Sequence, residues 1–321
     1  MGRLIATRLG LMVPTFVVIT AITFAVAHLA PGDPLQLADE EQASAAVVEA
    51  ARRELGLERP LGQRYLTWLG RLARLDLGAS VVDRAPVTER VREALPRTVL
   101  VSGLALLVSV LASVFVGAQL AARHERRWAR VVSAALTLAS GVPSFWVAVM
   151  ALLLLATPRG VELFPLQGLS SGPGAGVLDL AWHLVLPVLC LAWPTTAMLT
   201  RFVRDGVSKS LEQDYVRAAL ARGLDARRVL WRHALPNALV PVVTVIGLHL
   251  PHVVAGSVVI ERVFGVSGMG LLAFEAIGTR DYPVVMGVAA VMAAVTLASM
   301  LVTDVLSAFI DPRLRLPGSA P

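Results

Sequence analysis

Apolar residues gather along this chain in six long blocks, at 9–29, 98–120, 131–157, 180–200, 234–260 and 283–310, separated by polar, charge-bearing stretches. Crossing a hydrocarbon core of roughly 30 Å takes about 20 apolar residues in a helix, which satisfies every backbone donor and acceptor within its own segment. None of the blocks carries an Arg, Lys or Glu, and their one acid is Asp304. The pattern predicts an all-α integral membrane protein with six transmembrane helices and an outer segment between the first two. It divides the chain into an N-terminal transmembrane helix (1–30), an outer segment (31–97), a transmembrane core (98–312) with a polar loop at 205–236, and a tail (313–321). Arg3, Arg8 and an Ala25-Val26-Ala27 run give the first block some likeness to a cleaved signal peptide. Its apolar run exceeds the roughly 7–15 residues of a signal core, so a retained helix is expected.

The outer segment has its own periodicity. Residues 41–55 are rich in Ala, Glu and Arg and predict a helix. In 60–75, Leu61, Tyr65, Trp68, Leu69, Leu72 and Leu75 recur at helical spacing with arginines between them. Two placements fit such an amphipathic helix: the membrane interface, which favours Trp and Tyr, or the outer ends of the spans. Pro14, Pro143, Pro187, Pro194, Pro241 and Pro251 fall inside the blocks, where each removes a helix hydrogen bond and invites a kink.

Charge orients the bundle. The chain is 56% hydrophobic and 16% charged, with a net charge of +6. In a soluble domain that excess would suggest nucleic acid; here it sits in short loops beside spans, where Lys and Arg resist translocation. One such loop holds Arg123, Arg126, Arg127 and Arg130, and another holds Arg201, Arg204, Lys209, Arg217, Arg222, Arg227, Arg228 and Arg232. Both are assigned to the cytoplasm. Six spans then put both termini on that side too, in a multi-pass bacterial or archaeal inner-membrane protein without nucleic-acid partners.

The second basic loop is more than a linker. It reads Asp214-Tyr215-Val216-Arg217-Ala218-Ala219-Leu220-Ala221-Arg222-Gly223-Leu224-Asp225, then continues through Trp231 and His233 to Leu235-Pro236. Small and apolar residues mixed with charge predict two short helices meeting at Gly223, a residue suited to the left-handed conformation, with Asp225 capping the second. A structured basic hairpin of this kind is a docking element.

The hairpin resembles the EAA loop of ABC importer permeases, whose pattern is Glu-Ala-Ala, three residues, Gly, and a Leu-Pro ending thirteen positions later. Ala218, Ala219, Gly223, Leu235 and Pro236 match; Arg217 stands in place of Glu and His233 in place of Ile. The peptide and nickel branch of that family often departs at the first position. Signatures similar to that branch follow in order along the chain: Leu29-Ala30-Pro31-Gly32-Asp33-Pro34, Arg53-Glu54-Leu55-Gly56-Leu57, Asp76-Leu77-Gly78, Pro143-Ser144-Phe145-Trp146, Gln213-Asp214-Tyr215, His233-Ala234-Leu235, Arg280-Asp281-Tyr282-Pro283 and Asp311-Pro312-Arg313.

The resemblance implies a type I importer fold and import of di- or oligopeptides, with nickel or another small solute as the alternative. It implies a second homologous permease subunit, two ATPase subunits, an extracytoplasmic substrate-binding protein and surrounding lipid as partners. The helix of about 214–223 would seat in a groove of the ATPase. Asp214, Tyr215, Arg217, Ala218, Ala219, Gly223, Leu224, Asp225, Leu235 and Pro236 would form the coupling loop, with small Ala218 and Ala219 admitting the partner surface closely.

The chain's own chemistry agrees with a divided machine. A phosphate-cradling loop ends in Gly-Lys-Ser/Thr, and the one lysine, Lys209, lies in Val207-Ser208-Lys209-Ser210 with no glycine before it. ATP and magnesium are therefore expected in partner subunits and no cofactor in this one. Cys190 alone builds neither a disulfide framework nor a zinc cluster.

Asp304 costs roughly 2.5–3.5 kcal/mol at mid-span, which makes it a candidate for the pathway or a gate, or else a paired structural acid. His249 and His252, three apart, are further pathway candidates; with His183 and Cys190 they offer metal-ligand chemistry, although hydrogen-bonded histidines are the commoner case. Glu261 and Arg262 suit anchoring an outer loop or meeting the binding protein. An intramembrane hydrolase needs an Asp pair, a Ser with a base or a His-Glu-x-x-His helix, whereas His124-Glu125 is followed by Ala129. An ion-coupled transporter needs intramembrane charges or inverted repeats, for which Asp304 is the one support.

Overall fold

The computed structural model describes residues 2–29 and 59–310, and the regular elements among them are helices, apart from one isolated bridge between Ala79 and Pro86. In chain order they are α1 (Gly2–Leu29), α2 (Leu61–Leu72), α3 (Val87–Ala122), α4 (Arg127–Ala139), α5 (Ser144–Leu155), α6 (Val177–Leu211), α7 (Asp214–Ala221), α8 (Ala226–Val229), a π-helical turn (Leu230–Ala234), α9 (Leu235–Phe264), α10 (Met269–Gly278) and α11 (Tyr282–Ile310). The expected helix at 41–55 lies outside the described residues, as do residues 30–34, the Arg53–Leu57 signature, the Asp311-Pro312-Arg313 ending and the tail.

Ile5–Leu29, Val87–Ala122, Val177–Leu211 and Tyr282–Val305 are each long and apolar enough to cross a membrane, and two bent helix pairs bring the number of candidate spans to six. The third block departs from a simple span. It is broken into α4 and α5, bent by 104°. Pro143 is the reason: it sits at the N-cap of α5 in extended conformation, where it ends one helix and opens the next. Pro187 and Pro194, by contrast, are absorbed inside an unbroken α6.

Helix ends also lie beyond the apolar blocks. α3 begins at Val87, eleven residues before the block starts, and runs straight through residue 97. α6 continues past the block to Leu211. α10 occupies a stretch expected to be loop. Both extended ends carry buried residues, Val87 and Val91 in α3 and Val207 and Ser210 in α6, so packing holds them where hydropathy falls.

The chain forms two compact units. One comprises Met1–Thr7, Val99–Val266 and Ala298–Pro321. Its core gathers Val101, Ala105, Leu184, Leu191, Ile260 and Phe264. Helices approach closely at glycines: a Cβ on Gly117 would lie 2.8 Å from Val203 Cβ, and one on Gly247 would lie 1.6 Å from Thr303 Cγ2. α6 and α9 pack along each other in this unit.

The other unit comprises Arg8–Thr98 and Ser267–Leu297. Leu77, Val87, Val91, Met269, Val284 and Val288 form its core. Here α2 packs along α1. The Tyr65 hydroxyl donates to the Val17 carbonyl at 2.9 Å, and the Phe24 ring meets Tyr65 and Trp68 with centroids 5.4 and 6.4 Å apart. Two sequence signatures also meet in this unit. Buried Asp281 accepts from Ser80 Oγ at 2.5 Å and Val81 N at 3.2 Å, holding the turn that follows Asp76-Leu77-Gly78.

Candidate functional site

The hairpin between α6 and α9 forms as its residue types dictate. α6 ends at Leu211, and α7 runs from Asp214 to Ala221. Gly223 then takes φ +81°, a conformation that L side chains rarely adopt, and its N–H donates to Leu220 O at 2.9 Å while Leu224 N reaches Ala219 O at 3.3 Å. Asp225 reverses the chain into the next helix. Its carboxylate accepts from Arg227 N at 3.0 Å and Arg228 N at 3.3 Å, satisfying two otherwise orphaned donors.

A small apolar core closes the hairpin. Val216 and Ala219 from α7 pack with Val229 and Ala234, and Leu211 and Leu224 cover them. Ser210, at the end of α6, donates to Ala234 O at 3.0 Å and pairs with the Tyr215 hydroxyl. The Asp214–Arg217 ion pair, 3.6 Å apart, stands in solvent and adds little. Tyr215, Arg217, Ala218 and Leu220 therefore face outward on α7.

Ala219 corrects the expectation placed on the Ala218-Ala219 pair. At 9% exposure it belongs to the hairpin's own core, where its small size lets α7 lie against Val229 and Ala234. Ala218 is exposed and keeps the place of a small residue on the outward face.

Downstream of Asp225 the helical conformation is not interrupted. Val229, Leu230, Ala234 and Leu235 all hold right-handed helical angles, so α8, the π turn and α9 form one rod from Ala226 to Phe264. Pro236 accounts for the widened turn, since it donates no N–H and its ring crowds the carbonyl four residues back. Leu235 N bonds instead to Leu230 O, a π-type bond. The carbonyls around it find side-chain donors: Asn237 Nδ2 on His233 O at 2.9 Å, and Ser210 Oγ on Ala234 O. Leu235 is buried in a second cluster with Ala118, Val203, Val207 and Ala238, which fixes the rod to α3 and α6.

Of the pathway candidates, Asp304 lies partly buried on α11, beside Thr303, whose side chain presses on Gly247 of α9. His249 and His252 are on α9, and their side chains lie outside the described residues. His183 is buried and donates from Nδ1 to Asp179 O at 2.9 Å, a structural bond within α6. Among the described residues no three His, Cys, Asp or Glu side chains are grouped to hold a metal. Glu261 is fully buried, and its carbonyl accepts from Val266 N at 2.9 Å where α9 ends on left-handed Gly265. That is an anchoring position for the segment after α9.

Residues 102–316 match the family model described as binding-protein-dependent transport system inner membrane component, and residues 1–102 match its N-terminal companion. The chain belongs to this family. The oligopeptide transport system permease protein AppB of Bacillus subtilis is 33% identical over 98% of this chain and 100% of its own length. The di/tripeptide transport system permease protein DppB of Pseudomonas aeruginosa is 33% identical over 97% of this chain and 98% of its own. The dipeptide permease DppB of Escherichia coli K12 is 32% identical over 98% and 99%. This permease is thus a multi-pass membrane protein and a transport subunit rather than an enzyme, one component of an ABC importer that works with a substrate-binding protein and an ATPase.

The sequence missed the π turn and the Ser80–Asp281 pairing. Pro236 inside an otherwise helical run was the available signal for the first. The second joins residues 201 positions apart, and only the fold brings them together.

Proposed function

We propose that this permease forms half of the pathway of a peptide importer and receives work from ATPase subunits through the outward face of α7. One observation carries the reading: α7 is packed by a buried core onto a rod that continues without interruption into α9, the expected fifth span. A push on α7 therefore moves a span, not a loose loop. In this reading two permease subunits and two ATPase subunits assemble, ATP and magnesium bind in the ATPases, and the hairpin and both termini face the cytoplasm. Tyr215, Arg217, Ala218 and Leu220 meet the ATPase groove, while Ala219, Leu224 and Leu235 hold the hairpin and Gly223 and Asp225 turn it. Di- or oligopeptides are the cargo, a choice supported by the names of the relatives and by their near full-length match.

The assembled complex tests this directly. Peptide-loaded binding protein should stimulate its ATP hydrolysis and drive peptide uptake into proteoliposomes; equal activity without this chain overturns the proposal. Orientation is read separately in intact cells. A membrane-impermeant thiol reagent should label Leu166→Cys at once and Arg222→Cys only after permeabilisation; the reverse pattern refutes the topology.

A further inference from the structure

Beside the coupling face is an open hollow of about 410 Å³ lined by Asp225, Arg227, Arg228 and Trp231. It is a concavity open to the surface rather than an enclosed cavity. Its lining carries two guanidiniums against one carboxylate, a net charge of one positive unit. The Asp225 carboxylate is occupied by the backbone N–H groups of Arg227 and Arg228, while the two exposed guanidiniums have no ion pair among the described residues.

The fourth wall fixes the hollow's surroundings. The Trp231 ring lies against Phe115, with centroids 6.0 Å apart. Phe115 is on α3, long and apolar enough to cross a membrane, and is 58% exposed. It stands seven residues before the helix ends at Ala122, an axial depth of about 10 Å. An amphipathic Trp ring beside the end of an apolar span is of the kind favoured near a membrane interface. The two arginines project from α8, one turn before Trp231.

We infer that Arg227, Arg228 and Trp231 form a site for the headgroup of an acidic phospholipid, at the foot of the rod that links the hairpin to α9. An arginine fork accepts a phosphodiester bidentately, and Trp231 covers the glycerol and upper acyl carbons. A bound lipid would brace the base of the rod, so acidic lipid would tune coupling. The inference rests on the cytoplasmic, ATPase-docked reading of the hairpin.

Native mass spectrometry of the whole complex tests it, with phosphatidylglycerol titrated against phosphatidylcholine. Each arginine near an anionic headgroup contributes about 1 kcal/mol, so Arg227→Gln with Arg228→Gln should lower phosphatidylglycerol retention by about thirtyfold and leave phosphatidylcholine retention unchanged. The same spectra report the attached ATPase subunits. Unchanged phosphatidylglycerol retention with ATPases still bound overturns the lipid site and spares the coupling reading. Loss of ATPases from the variant with lipid retained assigns the arginines to the partner protein and likewise overturns it. A wild-type complex without ATPases refutes the coupling reading itself.

Discussion

Substituting Gly223 separates the turn's geometry from every other property of the hairpin. At φ +81° the residue requires a backbone conformation that costs a non-glycine residue roughly 1–3 kcal/mol, least for Asn and most for a β-branched side chain. A Cβ there meets nothing within 4 Å, so no steric clash with a neighbour adds to the cost. Any side chain also stiffens the unfolded segment, which offsets about 0.4–1 kcal/mol. Gly223→Val should therefore disfavour the closed hairpin by ~1–2 kcal/mol, a population shift of about 5- to 30-fold, whereas Gly223→Asn should be close to neutral. The assay is ATP hydrolysis by the purified complex, with and without loaded binding protein. Stimulation should fall in the order Gly, Asn, Ala, Val while the ATPases' basal rate holds. Equal stimulation of the Val and Asn variants would mean that the turn does not position α7, and the coupling assignment would fail with it.

The two neighbouring alanines should respond oppositely. Ala219→Leu overpacks the hairpin core and should destabilise it by about 1–3 kcal/mol, seen as increased protease cleavage near residue 223; Ala218→Leu should leave cleavage unchanged and weaken recovery of ATPase subunits in affinity purification. Asp281→Ala leaves Ser80 and Val81 without their acceptor in a buried setting and should lower stability by about 2–3 kcal/mol, measured as thermal unfolding in detergent. The Gly78 N–H and Arg71 hold the Asp76 carboxylate below its usual range. A depressed folded value stabilises above the unfolded pKa of about 3.9 and loses that contribution as pH falls through the folded value. Acidification from about pH 6 to about pH 3 should therefore narrow the stability gap between the wild type and Asp76→Asn; a gap independent of pH refutes the assignment.

The parts of this protein visible in its sequence are those governed by short-range rules. Apolar blocks gave the spans because lipid leaves a chain little choice, and Gly223 and Asp225 gave the turn and cap because few residue types serve there. Helix ends were harder to see. Val87 and Leu211 lie in more polar sequence, where buried residues such as Val91 and Val207 pack the helix extensions against distant parts of the chain. The break at Pro143 and the continuity through Pro187 and Pro194 show the same limit: one residue type kinks or passes according to what its neighbours can re-satisfy. The burial of Ala219 was invisible for a related reason. Two adjacent alanines look alike in sequence, and only the partner helix decides which faces inward.

In the proposed coupling, the hairpin's two connections differ. Toward α9 the backbone is a single rod, widened by one π turn whose carbonyls are met by Asn237 and Ser210. A wide turn with satisfied bonds bends more readily than an α-helical one while still carrying axial load. Toward α6 the link is short and irregular; Ser210 bonds both Tyr215 of α7 and Ala234 of the π turn, and Leu211 covers the hairpin core. Displacement of α7 therefore has a stiff route into α9, through Val216 and Ala219 pressing on Val229 and Ala234. The exposed Asp214–Arg217 pair is too weakly coupled to carry it. On the proposed reading, buried contact rather than surface charge would convey the motion, so that an arginine at the glutamate position of the motif would leave the mechanical path intact.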